Sequence, residues 1–280
     1  MSIQDFEFTT QQGHRLSLSL YGGENLSKGP LVIYAHGFKG FKDWGFVPYA
    51  ANYFAQQGYA FLTFNFSHNG IGADPQNLTE LDRFSQNTFL LEVGELEEVI
   101  KQAAHTNFLG ADLGGRLGLI GHSRGGGVSI IAGRNRPEVH AITTWASVSS
   151  FDRYDKATRQ AWRKRGYEEV VNSRTGQVYQ LGMPILNEIE KYAKTKLNVL
   201  QAAREFERPL LIVHGQADET VPYFEAEQLN IYASPDHTGL RLIPKAGHTF
   251  GAAHPFLGSN PALDLVLEST LDFFNRHLMT

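Results

Sequence analysis

The chain has no cysteine. Disulfides, a thiolate nucleophile, and Cys-ligated zinc or iron–sulfur clusters are therefore excluded, since each needs a sulfur atom. An excess of basic residues is missing too: 25 Lys and Arg face 29 Asp and Glu, for a net charge of −4. Such a balance offers no electrostatic footprint for nucleic acid or an anionic membrane, so neither is an expected partner. No run approaches the ~18 uninterrupted apolar residues of a membrane span, and the first residues have no basic-then-apolar leader. A cytoplasmic location is the expectation. There is no HExxH and no close carboxylate/His set, so no metal or cofactor is expected.

What is present describes an ordinary folded chain: 280 residues, 42% of them hydrophobic, with 28 Gly and 11 Pro. That length suits one large domain, residues 1–280, with a single core. Alternation over Ile3 to Thr9 and Leu16 to Leu20, about the turn Gln12-Gly13, predicts an antiparallel opening hairpin. Short apolar runs then recur at Leu31 to Ala35, Ala60 to Phe64, Leu117 to Ile120, Ala141 to Ala146, Leu210 to Val213 and Leu240 to Ile243, as in strands of a parallel sheet buried on both faces. A helix is predicted over Phe89 to Ala104, with Glu92, Glu95 and Glu98 on the face opposite its apolar stripe. Another begins at the cap Asn260-Pro261. The alternation predicts an α/β architecture: a mostly parallel twisted sheet with helices on both faces.

One interval, Phe151 to Phe206, is too long for a single crossover and reads as an insertion. Helical spacing of Phe151, Tyr154, Thr158, Ala161 and Trp162, a hairpin about Ser173 to Gly176, and a helix from Ile185 to Ala193 are expected within it. It leaves the sheet at the carboxyl edge, which predicts a cap over any site there. Phe151, Tyr154, Trp162, Tyr167, Tyr179 and Tyr192 are candidate pocket walls, with Tyr154 and Trp162 the named candidates for substrate binding. Arg153, Lys156, Arg159, Arg163, Lys164 and Arg165 outnumber Asp152 and Asp155, predicting local positive charge.

The sharpest chemical signal is Gly121-His122-Ser123-Arg124-Gly125, placed between a predicted strand and a helical stretch. A serine hydroxyl is a poor nucleophile unless it is held clear of the surface beside a base, and a strand-to-helix elbow with small residues two positions either side does that. By composition the motif is weak, and an incidental Ser in a Gly-rich turn is the bland reading; its position strengthens it. Asp218 follows one later strand and His248 the next, each equally readable as a solvated loop residue. The order Ser, Asp, His gives nucleophile, orienting acid and base. The N–H groups of Phe38, after an early strand, and Arg124 are candidate oxyanion donors. His36 is expected to make structural hydrogen bonds. Asp74, Asp82 and Arg83 read as loop anchors, His68 and His254 as accessory groups, and His254 is the rival base. Gly114 to Gly127 does not fit a dinucleotide fingerprint, because Ser123 stands where its second Gly belongs.

With HGF, GHSRG, HGQADETVP and AGHTF in order across nearly the whole length, the sequence resembles the α/β-hydrolase superfamily, and within it the bacterial dienelactone-hydrolase-like and cinnamoyl or feruloyl esterase-like branch. The resemblance implies Ser123 as nucleophile, His248 as base, Asp218 as acid, and Phe38 and Arg124 as amide donors. Dienelactone hydrolases use a cysteine that this chain lacks. The expected activity is hydrolysis of carboxylic esters of small or aromatic acyl groups, on a small-molecule substrate, by a monomer or homodimer. An aminopeptidase-like or acylpeptide-cleaving hydrolase and a non-catalytic ligand-binding protein remain the alternatives.

Overall fold

The computed structural model describes residues 3–75, 77–172 and 176–279. In chain order the elements are β1 (Ile3–Thr9), β2 (Arg15–Tyr21), β3 (Leu31–Ala35), α1 (Val47–Gln56), β4 (Ala60–Phe64), α2 (Leu81–Ser85), α3 (Phe89–His105), β5 (Leu117–His122), α4 (Arg124–Asn135), β6 (Val139–Trp145), α5 (Lys156–Arg165), β7 (Tyr167–Val171), β8 (Val178–Gly182), α6 (Met183–Tyr192), α7 (Val199–Glu205), β9 (Leu210–Gly215), α8 (Phe224–Tyr232), β10 (Thr238–Ile243) and α9 (Pro261–Leu278). Eight strands form one sheet in the order β1-β2-β4-β3-β5-β6-β9-β10. β2 runs antiparallel to both β1 and β4, and every pairing from β4 to β10 is parallel.

Pleating divides the core. Leu31, Ile33 and Ala35 of β3 pack toward α3, α4 and α7, while Val32 and Tyr34 point the other way, into the layer of α1 and α9. Both faces are covered, so the central strands have no polar face, and β3, β4, β5 and β9 are buried along their whole length. Asn260 caps α9 by accepting from the N–H groups of Ala262 and Leu263.

Four expectations need correction; the first is the strand about Leu240 to Ile243, which is not buried on both faces, since β10 is an edge strand in which only Ile243 is buried. Glu92 and Glu95 do not lie on a solvated face of α3 but are buried, at 4% and 2% exposure. Glu92 meets Arg124 and Asn87, and Glu95 meets Ser67, so each is tolerated because it has polar partners. In the inserted segment the first helix starts only at Lys156, because Asp155 caps it by accepting from Thr158 N–H at 2.7 Å; Phe151 to Tyr154 are not helical. Its cations are also largely neutralised, through the pairs Arg153–Glu225, Arg159–Asp152, Arg163–Glu190 and Arg165–Glu168. The β7–β8 hairpin pairs Tyr167 with Gly182 through Val171 with Val178. Ser173, Arg174 and Thr175 of its turn lie outside the described residues.

Candidate active site

Ser123 stands between β5 and α4 with φ 57° and ψ −121°, a left-side backbone conformation that a β-carbon disfavours. Neighbouring packing enforces it. A Cβ at Gly121 would lie 2.3 Å from the carbonyl oxygen of Gly125, and one at Gly125 would lie 2.2 Å from that of Ala35. Only glycine lets the chain double back there, and Ser123 N–H donates to the Trp145 carbonyl at 2.8 Å to close the turn.

The loops after β9 and β10 are tied together: Gln216 N–H donates to the Ile243 carbonyl and Ala217 N–H to that of Ala246. This sets Asp218 beside His248. His248 Nδ1 lies 2.8 Å from Asp218 Oδ2, and Nε2 lies 3.0 Å from Ser123 Oγ. A carboxylate accepts only, so Nδ1 carries the proton and the Nε2 lone pair faces the serine hydroxyl. Ser123, Asp218 and His248, separated by up to 125 positions, thus form one hydrogen-bonded line.

Asp218 is held by more than His248. Oδ1 accepts from the N–H groups of Thr220 and Val221, both at 2.9 Å. His214 Nε2 lies 3.3 Å from Oδ2 and donates to the Val221 carbonyl at 2.8 Å. Burial would push the carboxyl up, but the hydrogen bonds from His214, His248 and Val221 outweigh it and keep Asp218 well below the usual carboxylate range. His122, fully packed beneath, is pushed down to about 3, chiefly by burial, and as a neutral ring donates from Nε2 to the His248 carbonyl at 3.0 Å. Neither His122 nor His214 was singled out from sequence; each sits on a strand of apolar pattern, and their adjacency to Ser123 and Asp218 was the available signal.

Arg124 is the first residue of α4, so its N–H is among those a helix leaves without an intrahelical acceptor. Phe38 follows Gly37, where a Cβ would lie 2.8 Å from Ser123 Cβ, so this loop is pressed against the serine. His36 is pushed down to about 4 by burial, donates from Nδ1 to the Gly37 carbonyl and accepts at Nε2 from Phe66 N–H, which is structural work. His254 accepts from Gly45 N–H at 3.0 Å and stacks on Trp44, while His248 is the ring that meets both Asp218 and Ser123.

A cavity of about 530 Å³ opens over Ser123 and His248. Phe38, Trp44, Phe89, Phe151 and Tyr154 supply aromatic walls, and Arg124, Lys39 and Arg153 line it as well. Tyr154 therefore faces the cavity, but Trp162 does not. Trp162 is fully buried and packs edge-on behind Tyr154, at 5.1 Å between ring centroids. Tyr179, 2% exposed, is likewise core, and neither Tyr167 nor Tyr192 lines the cavity. The Arg124 side chain was missed as well: only its N–H was expected to matter, yet its guanidinium pairs with Glu92 at 3.3 Å beneath the cavity. Among the described residues no group of three or more His, Asp or Glu is placed to hold a metal, and no helix is long and apolar enough to cross a membrane.

Comparison with known proteins places this architecture. The chain is similar to the proposed esterase YitV of Bacillus subtilis (strain 168), 26% identical over 200 residues, covering 69% of this chain and 70% of that protein. Its fold matches Est1E from Butyrivibrio proteoclasticus in a ferulic acid complex, with TM-score 0.72 at 20% identity over 97% of this chain and 98% of that one. It also matches the esterase domain of a Rhodothermus marinus protein, with TM-score 0.66 at 21% identity over 99% of each chain. The sequence pattern of the prolyl oligopeptidase family matches residues 44–279. The sheet order, the serine elbow and that match together make the chain a member of the prolyl oligopeptidase family, with the α/β-hydrolase fold.

Proposed function

We propose that the protein is a serine hydrolase that cleaves carboxylic esters of small or aromatic acyl groups through an acyl-enzyme. The observation that carries this reading is the line from Asp218 Oδ2 through His248 to Ser123 Oγ, with contacts of 2.8 and 3.0 Å, at the floor of an aromatic-walled cavity. Ser123 Oγ attacks the ester carbonyl carbon as its proton passes to His248 Nε2. The oxyanion is received by the N–H groups of Phe38 and Arg124. His248 gives the proton to the departing alcohol, leaving the acyl group on Ser123, then takes a proton from the water that attacks the acyl carbon and returns it to Ser123 Oγ as the carboxylic acid leaves. Asp218 stays ionised and fixes the ring's tautomer.

Residues 151–206 act in this reading as a cap within a single domain, contributing Phe151, Arg153 and Tyr154 to the cavity. The likeness to a ferulic-acid-binding fold and to a proposed esterase supports an ester substrate. The family match favours peptide cleavage as the second reading. An aminopeptidase needs a carboxylate for the free amine, and none lines the cavity among the described residues. Labelling with a fluorophosphonate followed by peptide mapping tests the nucleophile, and phenyl esters set against aminoacyl amides test the substrate. Labelling of Ser123 with faster ester turnover is the expected result; no labelling, or faster amide turnover, overturns it.

A further inference from the structure

The charged side chains that line the cavity are Lys39, Arg124 and Arg153, and no Asp or Glu joins them among the described residues. This concentration of positive charge is not compositional, since the chain as a whole carries −4. The three cations differ in how far the protein satisfies them. Arg153 is engaged by Glu225 and by the Thr220 carbonyl, so it is already neutralised.

Arg124 is different. It is 7% exposed, its guanidinium lies 4.2 Å from the centroid of the Phe38 ring and 4.9 Å from that of Phe89, and Nη1 meets Glu92 Oε1 at 3.3 Å. Nε and Nη2 have no hydrogen-bond partner among the described residues. These donors reach the cavity and are not sealed in the interior, so an acceptor bound there can complete the guanidinium. Lys39 faces the same ring at 5.5 Å and, among the described residues, has one weak partner, the Val171 carbonyl at 3.3 Å. Burial lowers its ammonium and the charge of Arg124 lowers it further, so the two cations oppose each other, and among the described residues no Asp or Glu lines the cavity between them. Both flank Phe38, whose loop is pressed against Ser123. A ligand anion there would be held close to the scissile bond.

We propose that the cavity selects esters carrying a carboxylate a few carbons from the scissile carbonyl, and that the Arg124 guanidinium, assisted by Lys39, receives that carboxylate. This rests on the ester-hydrolase reading. The aromatic walls hold the intervening carbons, and the planar guanidinium suits the two carboxylate oxygens. Glu92 offsets part of the charge of Arg124 from below and fixes its orientation, leaving the remaining donors to the ligand.

The test compares carboxylate esters with neutral isosteres of the same leaving group. Monophenyl glutarate against phenyl valerate, and monophenyl adipate against phenyl hexanoate, place the carboxylate on the acyl side. The butyrate esters of 4-(carboxymethyl)phenol and 4-ethylphenol place it on the alcohol side. In at least one pair kcat/KM is expected to favour the carboxylate ester by about tenfold or more. That ratio is expected to collapse in the double variant Arg124→Met with Glu92→Gln, which avoids leaving a buried carboxylate alone, and to fall severalfold in Lys39→Met. Should the double variant fail to fold, Lys39→Met and competition of phenyl butyrate turnover by glutarate, with dimethyl glutarate as the neutral control, decide the matter. Neutral esters turned over as fast as their charged partners, with Ser123 still labelled by fluorophosphonate, overturn this inference and leave the hydrolase reading intact. Absence of both labelling and turnover overturns the hydrolase reading instead, and calorimetric titration with glutarate then decides whether the anion receptor exists: no heat overturns it.

Discussion

His214 Nε2 lies 3.3 Å from Asp218 Oδ2, the oxygen that also receives His248 Nδ1 at 2.8 Å. A second, fully buried imidazole therefore backs the carboxylate that orients the base. Its Nδ1 has no partner among the described residues, so one edge of the ring carries its polar function.

Replacing this ring tests that support. In His214→Leu the Asp218 carboxylate loses a hydrogen bond that helps hold it low, so its protonation moves to higher pH. A depressed carboxylate stabilises the folded state above its unfolded value near 3.8, and that stability is lost as pH falls through the folded value. The variant is expected to lose on the order of 1–3 kcal/mol at neutral pH and to unfold at a higher pH on acidification. Thermal melts across an acid pH series check both. An unchanged acid midpoint counts against the support.

Ser123→Ala removes one oxygen from an elbow whose φ of 57° is enforced by its neighbours. Ester turnover is expected to fall by about a thousandfold or more with the melting temperature nearly unchanged. Initial rates on phenyl butyrate and a melt of the same sample measure this, and more than about a hundredth of wild-type kcat remaining would remove Ser123 as nucleophile.

Glu95 is pushed up to about 7, chiefly by burial, against hydrogen bonds from the N–H and hydroxyl of Ser67. Between its ordinary 4.5 and about 7 the folded state holds a proton that the unfolded chain has released, so stability falls as pH rises through that window. Glu95→Gln keeps an uncharged acceptor for Ser67 and removes the titration. Wild type is expected to lose on the order of 3 kcal/mol relative to this variant from pH 5 to pH 8, a drop of several degrees in Tm. Parallel melting curves for the two proteins contradict it.

Tyr154 and Trp162 touch, yet only Tyr154 faces the cavity. Trp162→Ala is expected to cost about 3–5 kcal/mol in chemical denaturation, as large core truncations do. Tyr154→Ala is expected to change kcat/KM unequally among esters at a smaller cost in stability. Equal losses for all esters in Tyr154→Ala show that the wall does not select.

The open sheet, its opening hairpin and the placement of Ser123, Asp218 and His248 after β5, β9 and β10 were legible along the chain. Strands buried on both faces are uniformly apolar, and a nucleophile elbow demands small residues at fixed offsets, so both leave a local signature. Capping at Asn260 is equally local. The burial of Glu92 and Glu95 was hidden, because their partners Arg124 and Ser67 lie 32 and 28 positions away and helical periodicity alone reads charged residues as solvated.

The sequence by itself determined the α/β class, the order of the chemistry-bearing loops and the residue types available for covalent catalysis, since these follow from short-range pattern and from composition. Only the tertiary structure decided that His122 and His214 brace the two ends of the Asp218–His248 pair, that Trp162 is core while Tyr154 is wall, and that the cations of the inserted helix are largely neutralised while Arg124 and Lys39 face the cavity. Each of those outcomes depends on which side chains distant segments bring together, and burial, pairing and protonation are set by that juxtaposition.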